Sequence, residues 1–139
     1  RVAESDAVLG VFCRRVGVPL IDGGTVRLPR IVGLGRALDL ILTGRAVSAQ
    51  EALEMGLVNR VVPTGQALSA AVELAHQIAA FPPAAMTADR ASVYAGLGLD
   101  EALAAEFARG LPALSEGVAG ARQFVTRPGP PAAGTPAES

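Results

Sequence analysis

The stretch that decides the fold is GVPLIDGGTVRLPRIVGLGRALDLILTGRAVSAQEALEMGLVNRVVP, residues 17–63. Apolar residues recur in it at the spacing of one helix face, twice in succession: Leu28, Ile31 and Val32, then Leu38, Ile41 and Leu42. Glycines commonly end helices, so we expect Gly33 and Gly35 to end the first helix and Gly44 to end the second. Ser48 and Glu51 stand three residues apart, which is the spacing of a capping box at the start of a helix. The stretch therefore predicts three short helices in succession.

Short strands flank these predicted helices. The stretches 1–3 and 7–9 are mostly apolar and are separated by a turn-like polar segment, which predicts two strands. Residues 57–62 have the β-branched content of a third strand. Residues 10–22 contain glycines and a proline without periodicity, which indicates a loop. Since strands this few and short need a covering layer, and no strand–helix–strand alternation of useful length is visible, the pattern looks unfinished on its own.

The second half of the chain is predicted to be helical. Residues 66–81 form an amphipathic pattern with this apolar face: Leu68, Ala71, Val72, Ala75, Ile78 and Ala79. Further helices are predicted over 84–94 and 100–108, the second with an acidic pair that suits a helix N-terminus. A last helix is predicted over 115–125. Beyond Thr126 the chain holds four of its ten prolines and little apolar bulk, which predicts disorder.

Composition narrows the class of protein. A chain of 139 residues, 50% of them hydrophobic, can build the core of one domain. Twelve basic and 13 acidic residues give a net charge of −1, which argues against nucleic acid or an anionic membrane surface as a partner. Cys13 is the only cysteine, so no internal disulfide can form and a cytoplasmic location fits best. No apolar run approaches the roughly 20 residues that span a bilayer.

Residues 17–63 resemble the central segment of the enoyl-CoA hydratase/isomerase (crotonase) superfamily. The motifs that carry the resemblance are, in order, Gly23-Gly24-Thr25, Arg27-Leu28-Pro29-Arg30, Leu42-Thr43-Gly44-Arg45, Glu51-Ala52 and Gly56-Leu57-Val58. A looser likeness extends from Arg1 to about Val125. The resemblance implies an α/β fold: the C-terminal part of a crotonase-like β/α spiral, with short strands followed by a mostly helical oligomerisation region.

The same resemblance divides the chain into three parts. Residues 1–63 would form the end of the spiral core with its acyl-CoA pocket loop, 64–126 the helical C-terminal region, and 127–139 the disordered tail. It also implies a coenzyme A thioester as substrate, no separate cofactor, no metal, and assembly as a homotrimer or hexamer.

Two functional hypotheses follow from the resemblance. In this family two backbone N–H groups stabilise the enolate oxygen of the thioester, and they come from segments that would precede Arg1. The first hypothesis is that the complete protein is an enoyl-CoA hydratase- or isomerase-like enzyme. The alternative is a truncated or degenerate non-catalytic module that retains the trimerisation helices and lacks the oxyanion hole.

Cys13 occupies an informative position within the resemblance. Counting back from Gly23, the second glutamate of typical hydratases falls on Cys13. A thiol does not activate water at neutral pH as a carboxylate does, which argues against simple hydratase chemistry. Cys13 is therefore either a small packing residue or a residue that lines the acyl pocket and contacts substrate.

Asp22 has two interpretations as well. It directly precedes Gly23 and Gly24 at the predicted start of a helix, where aspartate is a preferred N-cap. The resemblance suggests instead a catalytic acid/base, because some family members that isomerise or dehalogenate acyl-CoA carry a working aspartate in this loop. Gly23 and Gly24 are expected to permit close backbone approach and to contribute to substrate binding.

Three other residues carry side chains able to bind a ligand. Arg14 and Arg15 either contact a phosphate of coenzyme A or form a solvated loop face. His76 has no neighbours at metal-ligand spacing and is expected to be a surface or interface residue.

Overall fold

The computed structural model describes residues 1–111 and 114. Within these residues the strands are β1 (Val2–Glu4), β2 (Val8–Leu9), β3 (Val47–Ser48) and β4 (Arg60–Val62). The α-helices are α1 (Gly24–Val32), α2 (Leu34–Thr43), α3 (Ala49–Glu54), α4 (Ala67–Ala79), α5 (Pro83–Ala95) and α6 (Leu99–Gly110). A 3-10 helix spans Phe12–Val16 inside the predicted loop. The helix predicted over 115–125 and the tail predicted over 127–139 lie outside the described residues.

The strands form two separate pairs. β1 pairs with β4 in parallel, with Val2 opposite Arg60, and β2 pairs with β3 antiparallel, with Leu9 opposite Val47. The connection between β1 and β4 contains α1, α2 and α3, so the described part does hold a strand–helix–strand crossover that the sequence pattern did not reveal. β3 was also missed, because two residues are too few to display alternation. The fold class, short strands followed by a mostly helical region, is confirmed.

The core lies between these strands and the helices α1 to α3. Its buried members are Ala3, Val32, Ala37, Leu40, Val47, Ala49, Ala52, Met55 and Val58. Alanine is the commonest of them, which allows helix and strand backbones to approach closely. Leu40 and Val47 are the largest of the side chains that are almost completely buried, with exposures of 1% and 0%. Removal of either would leave a cavity that small neighbours cannot fill.

The predicted C-terminal end of α2 and the predicted start of α3 are confirmed by the structure. Gly44 follows α2 with a φ of 58°, the left-handed conformation that favours glycine at a helix end. Ser48 is the N-cap of α3, and its hydroxyl oxygen accepts a 3.2 Å hydrogen bond from the Glu51 N–H. The Glu51 carboxylate accepts instead from Arg45 at 2.7 Å, and Arg45 also donates to Asp39 at 2.7 Å. The capping box is thus half formed, and Arg45 joins α2 to α3.

The later helices pack more loosely on this core. One end of α4 approaches the β1–β4 pair, where the Ala67 N–H donates to the Glu4 carboxylate at 3.2 Å. The described residues leave much of the apolar face of α4 uncovered, and Leu68 is 78% exposed. α6 returns to pack against α1. Among the described residues, no helix is both long and apolar enough to cross a membrane.

Candidate functional site

The candidate site is a cavity of about 280 Å³ at the contact between α6 and the segment before α1. Its apolar lining residues are Val11, Val18, Pro19, Leu20 and Ile41. Its polar lining residues are Cys13, Arg14, Thr25, Glu106 and Arg109. Apolar walls with a few fixed polar groups are typical of small-molecule sites.

Glu106 holds the loop before α1 against α6. Its side chain is buried, with 5% exposure, and its carboxylate accepts hydrogen bonds from the N–H of Gly23 and the N–H of Thr25. The Thr25 hydroxyl donates a further hydrogen bond of 2.5 Å. N–H groups in the first turn of a helix have no partner within the helix, so a carboxylate from elsewhere satisfies them. Glu106 therefore caps α1 across a separation of more than 80 residues in sequence.

The pKa of Glu106 follows from the same contacts. Burial opposes the charged form and would raise the pKa. The hydrogen bonds from the Thr25 hydroxyl and from the backbone N–H groups of Thr25, Gly23 and Val26 outweigh it, so the pKa lies below its ordinary value. The carboxylate is ionised near neutral pH, and its hydrogen-bonding capacity is largely used within the protein.

Gly23 and Gly24 permit close packing, as the sequence predicted. Gly23 has a φ of 89°, and a Cβ there would lie 2.6 Å from the Leu103 side chain of α6. A Cβ on Gly24 would lie 3.0 Å from the Leu20 side chain. Neither glycine lines the cavity, and the Gly23 N–H is engaged by Glu106. Their contribution to substrate binding stays a prediction.

Asp22 does not cap α1, so that interpretation is wrong. The N-cap position is Gly23, with no side-chain hydrogen bond from it, because Glu106 occupies the N-terminus of the helix. The Asp22 carbonyl oxygen accepts from Arg27 at 2.8 Å, while its carboxylate accepts no hydrogen bond from a described residue. Asp22 is exposed and does not line the cavity, although it stands between Leu20 and Thr25, which do. Its acid/base role stays a prediction.

The 3-10 helix brings Cys13 to the cavity and separates the two neighbouring arginines. Cys13 is a free, half-buried cysteine among the lining residues, and its contact with substrate stays a prediction. Arg14 also lines the cavity. Arg15 instead donates to the Gly44 carbonyl at 2.9 Å and lies 5.2 Å from the centre of the Phe12 ring. Arg15 thus stabilises the fold, and of these two arginines only Arg14 lines the cavity.

Two residues of the site were missed by the sequence analysis. Glu106 and Arg109 lie on α6, far along the chain from the loop that they meet. A single sequence offers no local signal for such a contact, and a charged residue within a helix is normally exposed. His76 is exposed on α4, and the described residues contain no cluster of three or more His, Cys, Asp or Glu side chains that could hold a metal.

Comparison with known proteins places the chain within a family. The family model for enoyl-CoA hydratase/isomerase matches residues 1–112. A short-chain-enoyl-CoA hydratase of Clostridium acetobutylicum is 38% identical over 108 residues, covering 76% of this chain and 41% of that protein. Enoyl-CoA hydratase EchA19 of Mycobacterium tuberculosis is 46% identical over 88 residues, covering 63% of this chain and 33% of that protein.

Comparison with solved structures shows that the fold is also similar. The crystal structure of carnitinyl-CoA hydratase from Mycobacterium avium superimposes with a TM-score of 0.82 at 26% identity, over 90% of this chain and 51% of that one. The chain therefore spans less than half the length of the two relatives above and about half of this structure. Because the family model covers most of the sequence, the chain belongs to the enoyl-CoA hydratase/isomerase family.

Proposed function

We propose that the full-length protein acts on acyl thioesters of coenzyme A, with chemistry of the enoyl-CoA hydratase or isomerase type. The observation that carries this proposal is the cavity, because it lies within the segment that matches the family and has apolar walls suited to an acyl chain. Hydration and double-bond migration are both redox-neutral, so the proposed chemistry needs no cofactor besides the coenzyme A of the substrate.

The polar groups of the cavity favour a reaction with one acid/base over hydration by two opposed carboxylates. Glu106 is the sole carboxylate lining the cavity within the described residues, and its hydrogen bonds commit it to the cap of α1. Cys13 stands where the family resemblance predicts a hydratase glutamate. Isomerisation, in which one group removes a proton and returns it at another carbon, is therefore the preferred reaction.

Asp22 is the proposed acid/base. Its carboxylate is exposed, accepts no hydrogen bond from a described residue, and lies in sequence between two cavity-lining residues, Leu20 and Thr25. Since Asp22 is outside the cavity, this role requires the acyl tail to enter the cavity while the reacting carbons stay at its mouth. Cys13 and the Gly23-Gly24 backbone are then proposed to contact the bound acyl group.

Replacement of Asp22 by asparagine in the full-length protein tests this role. General acid–base catalysis contributes about 10²- to 10⁴-fold, so Asp22→Asn is expected to lower kcat for enoyl-CoA thioesters by about 100-fold or more with little change in KM. Asp89→Asn, an equivalent change at an exposed position on α5, is the matched control. Unchanged turnover in Asp22→Asn would exclude the acid/base role.

A non-catalytic module is the second candidate function. It is favoured by the lack, among the described lining residues, of a carboxylate that is free to act, and by the thiol at position 13. Such a module would bind acyl-CoA weakly or not at all and would contribute mainly to assembly. Turnover of enoyl-CoA thioesters by the wild-type protein would reject this candidate.

Assembly as a homotrimer or a dimer of trimers completes the proposal. It is supported by apolar side chains that the described residues leave uncovered on α2, namely Leu34, Leu38 and Leu42. Size-exclusion chromatography with light scattering on the full-length protein measures the stoichiometry, and a monomer at micromolar concentration would contradict it. A cytoplasmic location stays a prediction.

A further inference from the structure

Two arginines from distant parts of the chain line the same cavity. Arg14 is contributed by the 3-10 helix and Arg109 by the last turn of α6. Both side chains are exposed, so an incoming ligand can reach them. The other described lining residues are mostly apolar, so the two guanidinium groups and the Glu106 carboxylate are the charged groups of the cavity.

Neither arginine has an anionic partner within the described residues. The ion pairs found there join Arg45 to Asp39 and to Glu51, and they lie elsewhere. Arg14 and Arg109 donate no side-chain hydrogen bond to a described acceptor, in contrast to Arg15, whose guanidinium bonds to a backbone carbonyl.

The carboxylate in the cavity does not pair with them. Glu106 makes no hydrogen bond to either arginine, and its carboxylate accepts from Gly23 and Thr25 at the start of α1. The cavity thus combines apolar walls with two cationic groups whose hydrogen-bonding capacity is unused by the described residues. A guanidinium group binds a carboxylate or a phosphate through two parallel hydrogen bonds, and the apolar walls beside it suit the methylene groups of an acyl chain.

We propose that this cavity selects acyl-CoA thioesters whose acyl group ends in a carboxylate, that is, the coenzyme A thioesters of dicarboxylic acids. The inference rests on the proposed function and specifies the substrate class of the same site. Arg14 and Arg109 hold the distal carboxylate, and the apolar residues hold the methylene groups between it and the thioester. The phosphates of coenzyme A are the other anionic groups that the arginines could bind, and the experiment separates the two sources.

Calorimetric titration of the full-length protein with three ligands tests the proposal. Glutaryl-CoA and pentanoyl-CoA have acyl chains of the same carbon number and differ in the terminal carboxylate, while free coenzyme A carries only the phosphates. We expect the wild-type protein to bind glutaryl-CoA about tenfold more tightly than pentanoyl-CoA, since hydrogen bonds to charged groups contribute on that scale.

Matched variants assign the preference to the two arginines. Arg14→Gln and Arg109→Gln are each expected to abolish most of the preference for glutaryl-CoA while leaving the affinity for pentanoyl-CoA unchanged. The corresponding lysine variants, which keep the positive charge, should retain part of it. Arg36→Gln is the control, because Arg36 is exposed on α2 and does not line the cavity. Circular dichroism checks folding, and Arg14→Gln alone decides the outcome if Arg109→Gln does not fold.

The possible outcomes separate this inference from the function on which it rests. Failure of both thioesters to bind would overturn the proposed function. Equal affinity for the two thioesters would overturn the inference and leave the proposed function standing. An equal loss of affinity for all three ligands in the arginine variants would assign the arginines to the coenzyme A phosphates and would also overturn the inference.

Discussion

Helices α2 and α4 both carry apolar stripes, but the chain buries them differently. α2 places Ala37 and Leu40 in the core, whereas no residue of α4 is buried. The difference arises because α2 lies among small residues of α1, α3 and the strands, while α4 is held mainly at one end by the β1–β4 pair. Within the part of the chain that the structure describes, the apolar core is therefore confined to residues 3–58.

α6 is attached to that half in another way. Its strongest contact with the loop before α1 is polar, through the buried Glu106, and the candidate cavity forms beside this contact. A site whose wall depends on one buried carboxylate is sensitive to the loss of that carboxylate. The comparison thus predicts that substitutions in the core lower the free energy of unfolding most. Substitution of the Glu106 carboxylate should lower it less, and substitution of a local helix cap should lower it least.

The largest effect is expected for Leu40→Ala. Leu40 is 1% exposed and belongs to the core, so its truncation leaves a cavity and should lower the free energy of unfolding by about 2–5 kcal/mol. Leu68→Ala is the matched control on α4, where Leu68 is 78% exposed and the change should stay within about 0.5 kcal/mol. Urea unfolding measures both, and equal losses would refute the contrast between the two helices.

Glu106→Gln should give the next largest effect. The amide keeps the shape but removes the charge and replaces one of the two accepting oxygens by an NH₂ group, so that the N–H of either Gly23 or Thr25 loses its acceptor, at a cost of about 1–3 kcal/mol. Hydrogen exchange of at least one of these two amides should become faster. Glu101→Gln, on the exposed face of the same helix, is the control. Unchanged exchange in Glu106→Gln would mean that the carboxylate does not hold the loop.

The features that the sequence predicted correctly are those that depend on residues close together in the chain. The left-handed Gly44, the Ser48 cap and the acidic first turn of α6 each depend on residues within about five positions, and all three are found in the structure. The start of α1 also has a strong local candidate, Asp22, yet the helix is capped by Glu106 from more than 80 residues away. A tertiary contact replaced the local one there, and nothing in the neighbourhood of Asp22 could reveal it.

The same reasoning explains why the site was only partly anticipated. Cys13 was considered for the cavity because the family motif gave its position, and the structure places it in the lining. Arg14 and Arg109 line the same cavity only because α6 packs against the first half of the chain. That tertiary packing cannot be read from the residues next to either arginine. Adjacent Arg14 and Arg15 could not be told apart by sequence, because only the 3-10 helix directs Arg15 towards the Gly44 carbonyl.

Ser48→Ala tests a contact that the sequence did predict. Its hydroxyl oxygen accepts from the Glu51 N–H at the start of α3, and loss of such a cap typically lowers stability by about 1 kcal/mol. Thermal unfolding should show a modest fall in Tm, smaller than that of Glu106→Gln. Ser69→Ala is the control, since the Ser69 hydroxyl only donates to the Gln66 carbonyl on an exposed face. A larger fall in Ser48→Ala than in Glu106→Gln would invert the predicted order.

The pH dependence of stability gives the smallest effect, because it isolates a single titrating group. The folded protein lowers the pKa of Glu106 below its ordinary value of 4.5, so the unfolded chain binds the proton more readily. The contribution of Glu106 is fully present above about pH 4.5 and is lost as the pH falls through the pKa of the folded state. The difference in unfolding free energy between wild type and Glu106→Gln should therefore shrink as the pH falls from about 7 to about 3. Urea unfolding at a series of pH values measures this difference, and the same subtraction with Glu101→Gln removes the effect of other carboxylates. A difference that stayed constant or grew in acid would show that the hydrogen bonds to Glu106 do not favour its charged form, and the polar attachment of α6 would then have to come from elsewhere.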